Sequence, residues 1–174
     1  VDARSRDGTT IIHHSARDGN LDILQQALRR RKNSYSKFPV KEGITTPGVY
    51  AIREASAGKV SLPALDMIMR HEPHPQHVAV EAVRKGAAGV LGHLIATEVI
   101  GVNEEITTPE GNKTTLTAEA LTNGQYTVVK TLIKNSADVN ASPEPAISLG
   151  IQGGCFQGGK AIKHLTRVVE AGAP

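Results

Sequence analysis

The segment Gly154-Cys-Phe-Gln-Gly-Gly159-Lys160 has a spacing that cradles phosphates: glycine, four residues, glycine, lysine. In that chemistry backbone N–H groups and a helix N-terminus surround the phosphate, and the lysine reaches it. A strand over 146–151 and a helix over 160–170 would have to flank it. Ala161 opposes this reading, because the pattern needs a Ser or Thr there for Mg²⁺. The 14 residues after Lys160 are also too few for a helix and a further parallel strand. The plainer expectation is a glycine-rich turn between two helices.

Three other groups carry chemistry by type. His71, His74 and His77 are three apart, and three imidazoles can hold zinc. Pro73 and Pro75 impose extended geometry that splays them, so a solvated connector is expected. Cys155 is a candidate nucleophile with His164 as base, yet nothing in the spacing brings the two side chains together. Arg29, Arg30, Arg31 and Lys32 form a basic run that would meet nucleic acid or an acidic protein. Little aromatic interleaving offers base stacking. A helix end favoured by its own dipole explains the run as well, and a nucleic-acid partner is not expected.

The elements that must position these groups are helical. The 174 residues suffice for one domain or one array with a continuous core. Aromatics are 3% and Trp is absent, whereas Ala, Gly, Leu and Val abound, which suits close helix packing. A single cysteine excludes an intrachain disulfide and favours a reducing, intracellular setting, cytoplasmic in the first instance with the nucleus as the second choice. No apolar run approaches the roughly 18 residues of a membrane span. The chain begins at Val1 and stops inside a polar exit, which reads as a piece of a longer protein. Residues 1–42 hold nine Lys/Arg against five Asp/Glu, so the net charge of +3 is concentrated there.

Residues 111–141 read as one self-contained unit. Thr114 and Thr115 can cap a helix beginning near Leu116. Gly124 can adopt positive φ and end it. Val128, Val129, Leu132 and Ile133 make one apolar face of a second helix, and Ser136 to Ala141 is a polar exit. Two helices this short cannot bury their apolar stripes alone, so the unit requires stacked neighbours.

This unit resembles the ankyrin repeat. Thr115, Ala120, Gly124, Val128, Val129, Leu132, Ile133, Ala137, Asp138, Asn140 and Ala141 match the family pattern in register; Leu116, Thr117 and Ser136 depart from its Pro, Leu and Gly. Four further units follow the same pattern. Residues 7–28 have a turn at Asp7-Gly8, Thr10 as cap, Gly19 as break, and Ile23, Leu24, Ala27 and Leu28 as stripe. His13 falls on the family's histidine, which the resemblance assigns to a hydrogen bond with the hairpin-loop backbone. Residues 49–70 are a degraded unit with Ala55, Gly58, a Ser61 cap and Pro63 in the first turn. Residues 77–95 place Ala82, Gly86, Val90, Leu91, Leu94 and Ile95. Residues 145–174 give helices over 146–152 and 160–170. Residues 29–48 read as an insertion held down by Tyr35 and Phe38, and 96–110 as a second long connector. Ile44-Thr-Thr-Pro47 and Ile106-Thr-Thr-Pro109 make these two segments related. Break glycines at 19, 58, 86, 124 and about 154, taken two at a time, are 67 and about 68 apart, close to twice a period of about 33.

The expected fold is therefore all-α, an ankyrin-like solenoid of about five helix-turn-helix units with long inter-repeat loops. The resemblance implies a protein–protein interaction module that grips a partner through its concave face. By register, that face comprises Thr9, His14, Arg17 and Asp18, then Arg53, then Glu81, Arg84 and Lys85, then Glu119, Thr122 and Asn123. This lining is polar and mixed in charge. No catalysis, cofactor or metal is implied. The alternatives are a structural spacer in a larger protein and a nucleotide-binding domain built on the Gly154–Lys160 loop.

Overall fold

A computed structural model describes residues 5–6, 9–30, 38–40, 43–54 and 61–172. The expectations for Asp7-Gly8, Arg31-Lys32, Tyr35, the side chain of Phe38, Ala55, Gly58 and Ala173 lie outside the described residues. The described chain is mostly helical, as expected. Its α-helices are α1 (Ile11–Asp18), α2 (Leu21–Arg30), α3 (Pro47–Glu54), α4 (Leu62–Met69), α5 (Pro75–Arg84), α6 (Ala88–Ala96), α7 (Leu116–Thr122), α8 (Tyr126–Lys134), α9 (Ala146–Gln152) and α10 (Ala161–Glu170). Two antiparallel hairpins join them: β1 (Phe38–Val40) with β2 (Gly43–Thr45), and β3 (Glu105–Thr107) with β4 (Lys113–Thr115). The chain forms two compact units, 1–78 and 79–174, with the boundary inside α5.

In the first unit, α1 packs on α2 and on α3, and α2 and α3 both meet α4. First helices thus lie beside first helices, and second beside second. Ile12, Ala16, Leu24, Ala27, Ala51, Ala64 and Ile68 form the shared core. Burying each of the large aliphatic side chains contributes about 1.5–3 kcal/mol. Ser61 caps α4 by accepting from the Ala64 N–H at 3.4 Å, with Pro63 in the first turn. His13 is fully buried, and its Nδ1 accepts from the Thr10 backbone N–H at 3.2 Å while its ring meets Tyr50 edge-on. The histidine is therefore structural and bonds the backbone just ahead of its own helix.

Two boundaries in this unit differ from expectation. Thr46-Pro47 does not close the insertion; it opens α3, with Thr46 Oγ1 accepting from the Val49 N–H at 3.4 Å and Pro47 in the first turn. A threonine followed by proline is a good helix start, since the lost N–H there has no intrahelical partner anyway. Likewise Pro75 opens α5, so His77 is helical and the connector is shorter than its prolines imply. Within this connector Glu72 is 8% exposed and folds back beside the start of α3. A β-carbon on Gly48 would lie 2.9 Å from Glu72 Oε2, so only glycine admits the carboxylate there without a shift.

In the second unit α7 packs on α8 and on α9, α6 on α8, and α9 on α10. Val90, Leu91, Leu94, Leu116, Leu121, Val128, Val129, Leu132, Leu149 and Val168 are buried between them. Thr115 caps α7, accepting from the Ala118 N–H at 3.2 Å. The two Ile-Thr-Thr-Pro segments both contribute a strand to a hairpin, but at different places. The first is the second strand and feeds a helix; the second is the first strand and feeds the Pro109-Glu110 turn.

Four interhelical turns close in the same way. Gly19, Gly86, Gly124 and Gly154 have φ of 67°, 67°, 68° and 76°, the left-handed region that favours glycine. At each, the next residue's N–H donates five residues back: Asn20 to Ser15, Ala87 to Ala82, Gln125 to Ala120 and Cys155 to Gly150, at 2.8–2.9 Å. The exits repeat too. Glu98, Ser136 and Gly172 follow α6, α8 and α10 and all have positive φ. Asn103 Oδ1 accepts from the Asp138 N–H at 2.7 Å and its Nδ2 reaches the Ser136 carbonyl, 33 residues on. Asn140 Nδ2 donates to the Gly172 carbonyl at 2.7 Å, 32 residues on.

Candidate protein-binding surface

In the first unit the expected binding residues cluster around the end of α1. Thr9 is 1% exposed and its Oγ1 lies 2.8 Å from His14 Nε2. Thr9 is thus corrected from a contact residue to an internal support, because its hydroxyl is used up orienting His14. His14 is half-buried, edge-on to Tyr50 at 6.0 Å. Arg17 donates through Nε and Nη2 to the two oxygens of Asp18, at 2.6 and 3.2 Å. Hydrogen bonding raises the guanidinium further above its ordinary value and lowers the Asp18 carboxyl. Asp18 is exposed and Arg17 half-buried, with two of the guanidinium nitrogens taken by Asp18. Arg53 lies in the last turn of α3, half-buried.

In the second unit Arg84, Glu119 and Asn123 do meet, and they meet one another. Arg84 Nε donates to Glu119 Oε1 at 2.7 Å, and Asn123 Nδ2 donates to the same oxygen at 3.2 Å. The sequence reading missed Glu110, which completes this cluster from the β3–β4 turn. Arg84 Nη1 and Nη2 donate to its two oxygens at 2.7 and 2.9 Å. The Arg84 hydrogen bonds hold the Glu110 carboxyl down at about 2. Gln125, also unassigned before, donates to the Arg84 carbonyl at 3.1 Å and so ties the end of α5 to the next turn. The signal for Glu110 was its place in a Pro-Glu-Gly turn just ahead of a repeat. Glu81 is 6% exposed and is corrected: it faces inward from α5 and is not part of an exposed lining. Lys85, Thr122 and Asn123 are exposed; Thr122 Oγ1 bonds only its own helix, at Ala118 O.

The chemistry-bearing motifs resolve differently. Residues 146–152 are α9, not a strand, so the strand–loop–helix arrangement of a nucleotide site is not formed. The glycines form an enlarged turn ending in a short 3-10 segment, Gly158–Lys160, ahead of α10. Gly150 is glycine because the Phe156 ring occupies the space of a β-carbon. Cys155 is buried and its thiol is pushed up to about 11 by that burial. His164 Nδ1 lies 3.1 Å from the Cys155 carbonyl oxygen, not the sulfur, and its ring stacks on Tyr126. His74 and His77 stack at 5.0 Å, and among the described residues no three His, Cys, Asp or Glu converge as metal ligands.

Compared with protein-family models and with curated proteins, the chain matches none. Among the described residues no helix is long and apolar enough to cross a membrane.

Proposed function

We propose that this chain is an ankyrin-like repeat solenoid and that it binds another protein through the polar ends of its first helices. One observation carries the reading. The same left-handed glycine turn ends α1, α5 and α7, and at each the two residues before it are a polar pair: Arg17-Asp18, Arg84-Lys85 and Thr122-Asn123. Repeated scaffolds that present variable polar positions at a constant place are suited to reading a partner's surface. The hydrogen bonds of Asn103 and Asn140, reaching 33 and 32 residues onward, support a repeat of the ankyrin length.

Arg84 is tied down by Glu110 and Glu119, so its reversal would disturb the fold as well as the surface. Arg17 and Lys85 are the better probes. Proteins retained by the immobilised chain are compared with those retained by Arg17→Glu, Lys85→Glu and the double variant, each first shown to melt like the parent. Loss of a specific partner in the double variant is expected. An unchanged set of partners, or none, returns the chain to the role of a spacer.

A further inference from the structure

In the first unit α2 and α4 leave a cleft of about 530 Å³ between them. Leu28, Pro63 and Met67 supply apolar walls, and Arg29 and Arg70 stand at the rim. Both arginines are exposed, and neither has a carboxylate partner among the described residues. Among the described residues Asp66 is the one acid in the lining, and it has an interaction of its own. His71 lies on the same rim, just beyond Arg70.

Arg29 closes on the C-terminal turn of α2, and Arg70 follows the last residue of α4. A helix C-terminus carries about half a negative charge. One guanidinium outweighs that at each helix end, so Arg29 and Arg70 are the cationic points of the rim, with Asp66 as the opposing charge among the described lining residues. We propose that this cleft docks an acidic segment of a partner protein, with an apolar side chain seated against Leu28, Pro63 and Met67 and flanking carboxylates paired with Arg29 and Arg70. Guanidinium forks match carboxylates in two-point contacts. The apolar walls favour a peptide over nucleic acid, whose phosphates need cations but no such wall, and among the described residues no Phe, Tyr or Trp lines the cleft for base stacking. The cleft is built by second helices, whereas the polar pairs end first helices. Either surface can therefore fail without the other.

The test is fluorescence anisotropy on the full chain with a fluorescein-labelled Glu-Asp-Leu-Glu-Asp-Leu-Glu-Glu peptide. Comparison probes are the same peptide with Ser for Leu, the same peptide with Lys for every acid, and a labelled oligo-dT. Saturable binding of the first peptide alone is expected, weakened about tenfold or more by Arg29→Glu with Arg70→Glu. The milder Arg29→Gln with Arg70→Gln should weaken it about threefold, and raising NaCl from about 50 to 300 mM should weaken it too. The proposal is overturned if the first peptide does not bind at about 1 mM. Equal binding by the parent and both variant pairs, or indifference to the Leu-to-Ser change, overturns it as well. Tighter binding of oligo-dT lost in the same variants makes the cleft a nucleic-acid site instead.

Discussion

Gly124 and Gly153 meet backbone to backbone. A β-carbon on Gly124 would overlap the Gly153 carbonyl oxygen, and one on Gly153 would overlap the carbonyls of Leu121 and Thr122. Successive turns are thus pressed together at the one place where neither side can carry a side chain. A lesser crowding recurs where a glycine faces a side chain: a β-carbon on Gly86 would crowd the Gln125 amide and one on Gly19 would crowd Ser61. Gly124 needs glycine for its positive φ as well, but Gly153 has an ordinary φ of −77°. Its requirement is steric alone. Gly153→Ala should therefore lose about 1–3 kcal/mol through overpacking. Gly89→Ala, in the first turn of α6 with nothing within 4 Å of the added carbon, should gain about 0.5–1 kcal/mol. Urea unfolding measures both. Equal effects would mean that the close approach does not hold.

The exits of the second helices invite a different change. Glu98 and Ser136 occupy φ of 57° and 64°, and Gly172 has the corresponding place after α10. A left-handed conformation costs an L-residue about 1–2 kcal/mol, part of which glycine returns as unfolded-state entropy. Glu98→Gly and Ser136→Gly should each stabilise by about 0.5–1 kcal/mol. Their carbonyls are retained, so the Asn103 bond to Ser136 survives. A fall in thermal midpoint for both variants would sink the assignment of strain.

Where the apolar pattern and the glycines agree, the sequence was enough. Leu116, Gly124, Val128, Val129 and Leu132 predict α7, its turn and α8, because each position has one physical solution. The helices at Thr46-Pro47 and Pro75 start two residues earlier than the units at 49 and 77 predict, because proline is compatible with the first turn of a helix. Glu98 hid an exit, since only its backbone reveals that a glutamate sits in a glycine conformation. The binding positions were the least legible. Register assigns Glu81 and Thr9 a place along a helix, but their burial depends on what the neighbouring element supplies. The pairing of Glu110 was not legible, although its turn was, because its partner, Arg84, lies 26 residues earlier in the chain.

Glu72 makes stability depend on pH. Burial pushes its carboxyl up to about 7, against hydrogen bonding from Thr46 and the His74 and Gly48 backbones that pulls the other way. In the unfolded chain the group titrates near about 4.3. The folded protein thus holds the proton more tightly, so folding is most favourable below about pH 4 and weakens as pH rises towards about 7. A gap of this size is worth about 3–4 kcal/mol. Glu72→Gln should remove that slope, unfolding at higher urea than the parent at about pH 8 and at a similar concentration at about pH 4. The difference between the two proteins isolates this carboxyl from every other titrating group. Parallel curves for the two proteins would mean that Glu72 is not the source.

Arg84 divides its guanidinium between two carboxylates, and the two should not be equal. Glu110 takes the two-point contact, but its side chain is 51% exposed, so water and salt compete for it. Glu119 takes a single bond, yet its side chain is only 12% exposed and shares its oxygen with Asn123. Burial decides the ranking, because a partner lost inside the fold leaves a polar group that solvent cannot fully reclaim. Glu119→Gln should therefore cost about 1–2 kcal/mol, with little response to salt, and Glu110→Gln less than about 0.5 kcal/mol, vanishing at high salt. Arg84→Ala should match or exceed the Glu119 change. Denaturant unfolding at low and high NaCl reads all three. A larger loss at Glu110 would show that two-point geometry outweighs burial at this cluster, and that the β3–β4 turn rather than α7 anchors the end of α5.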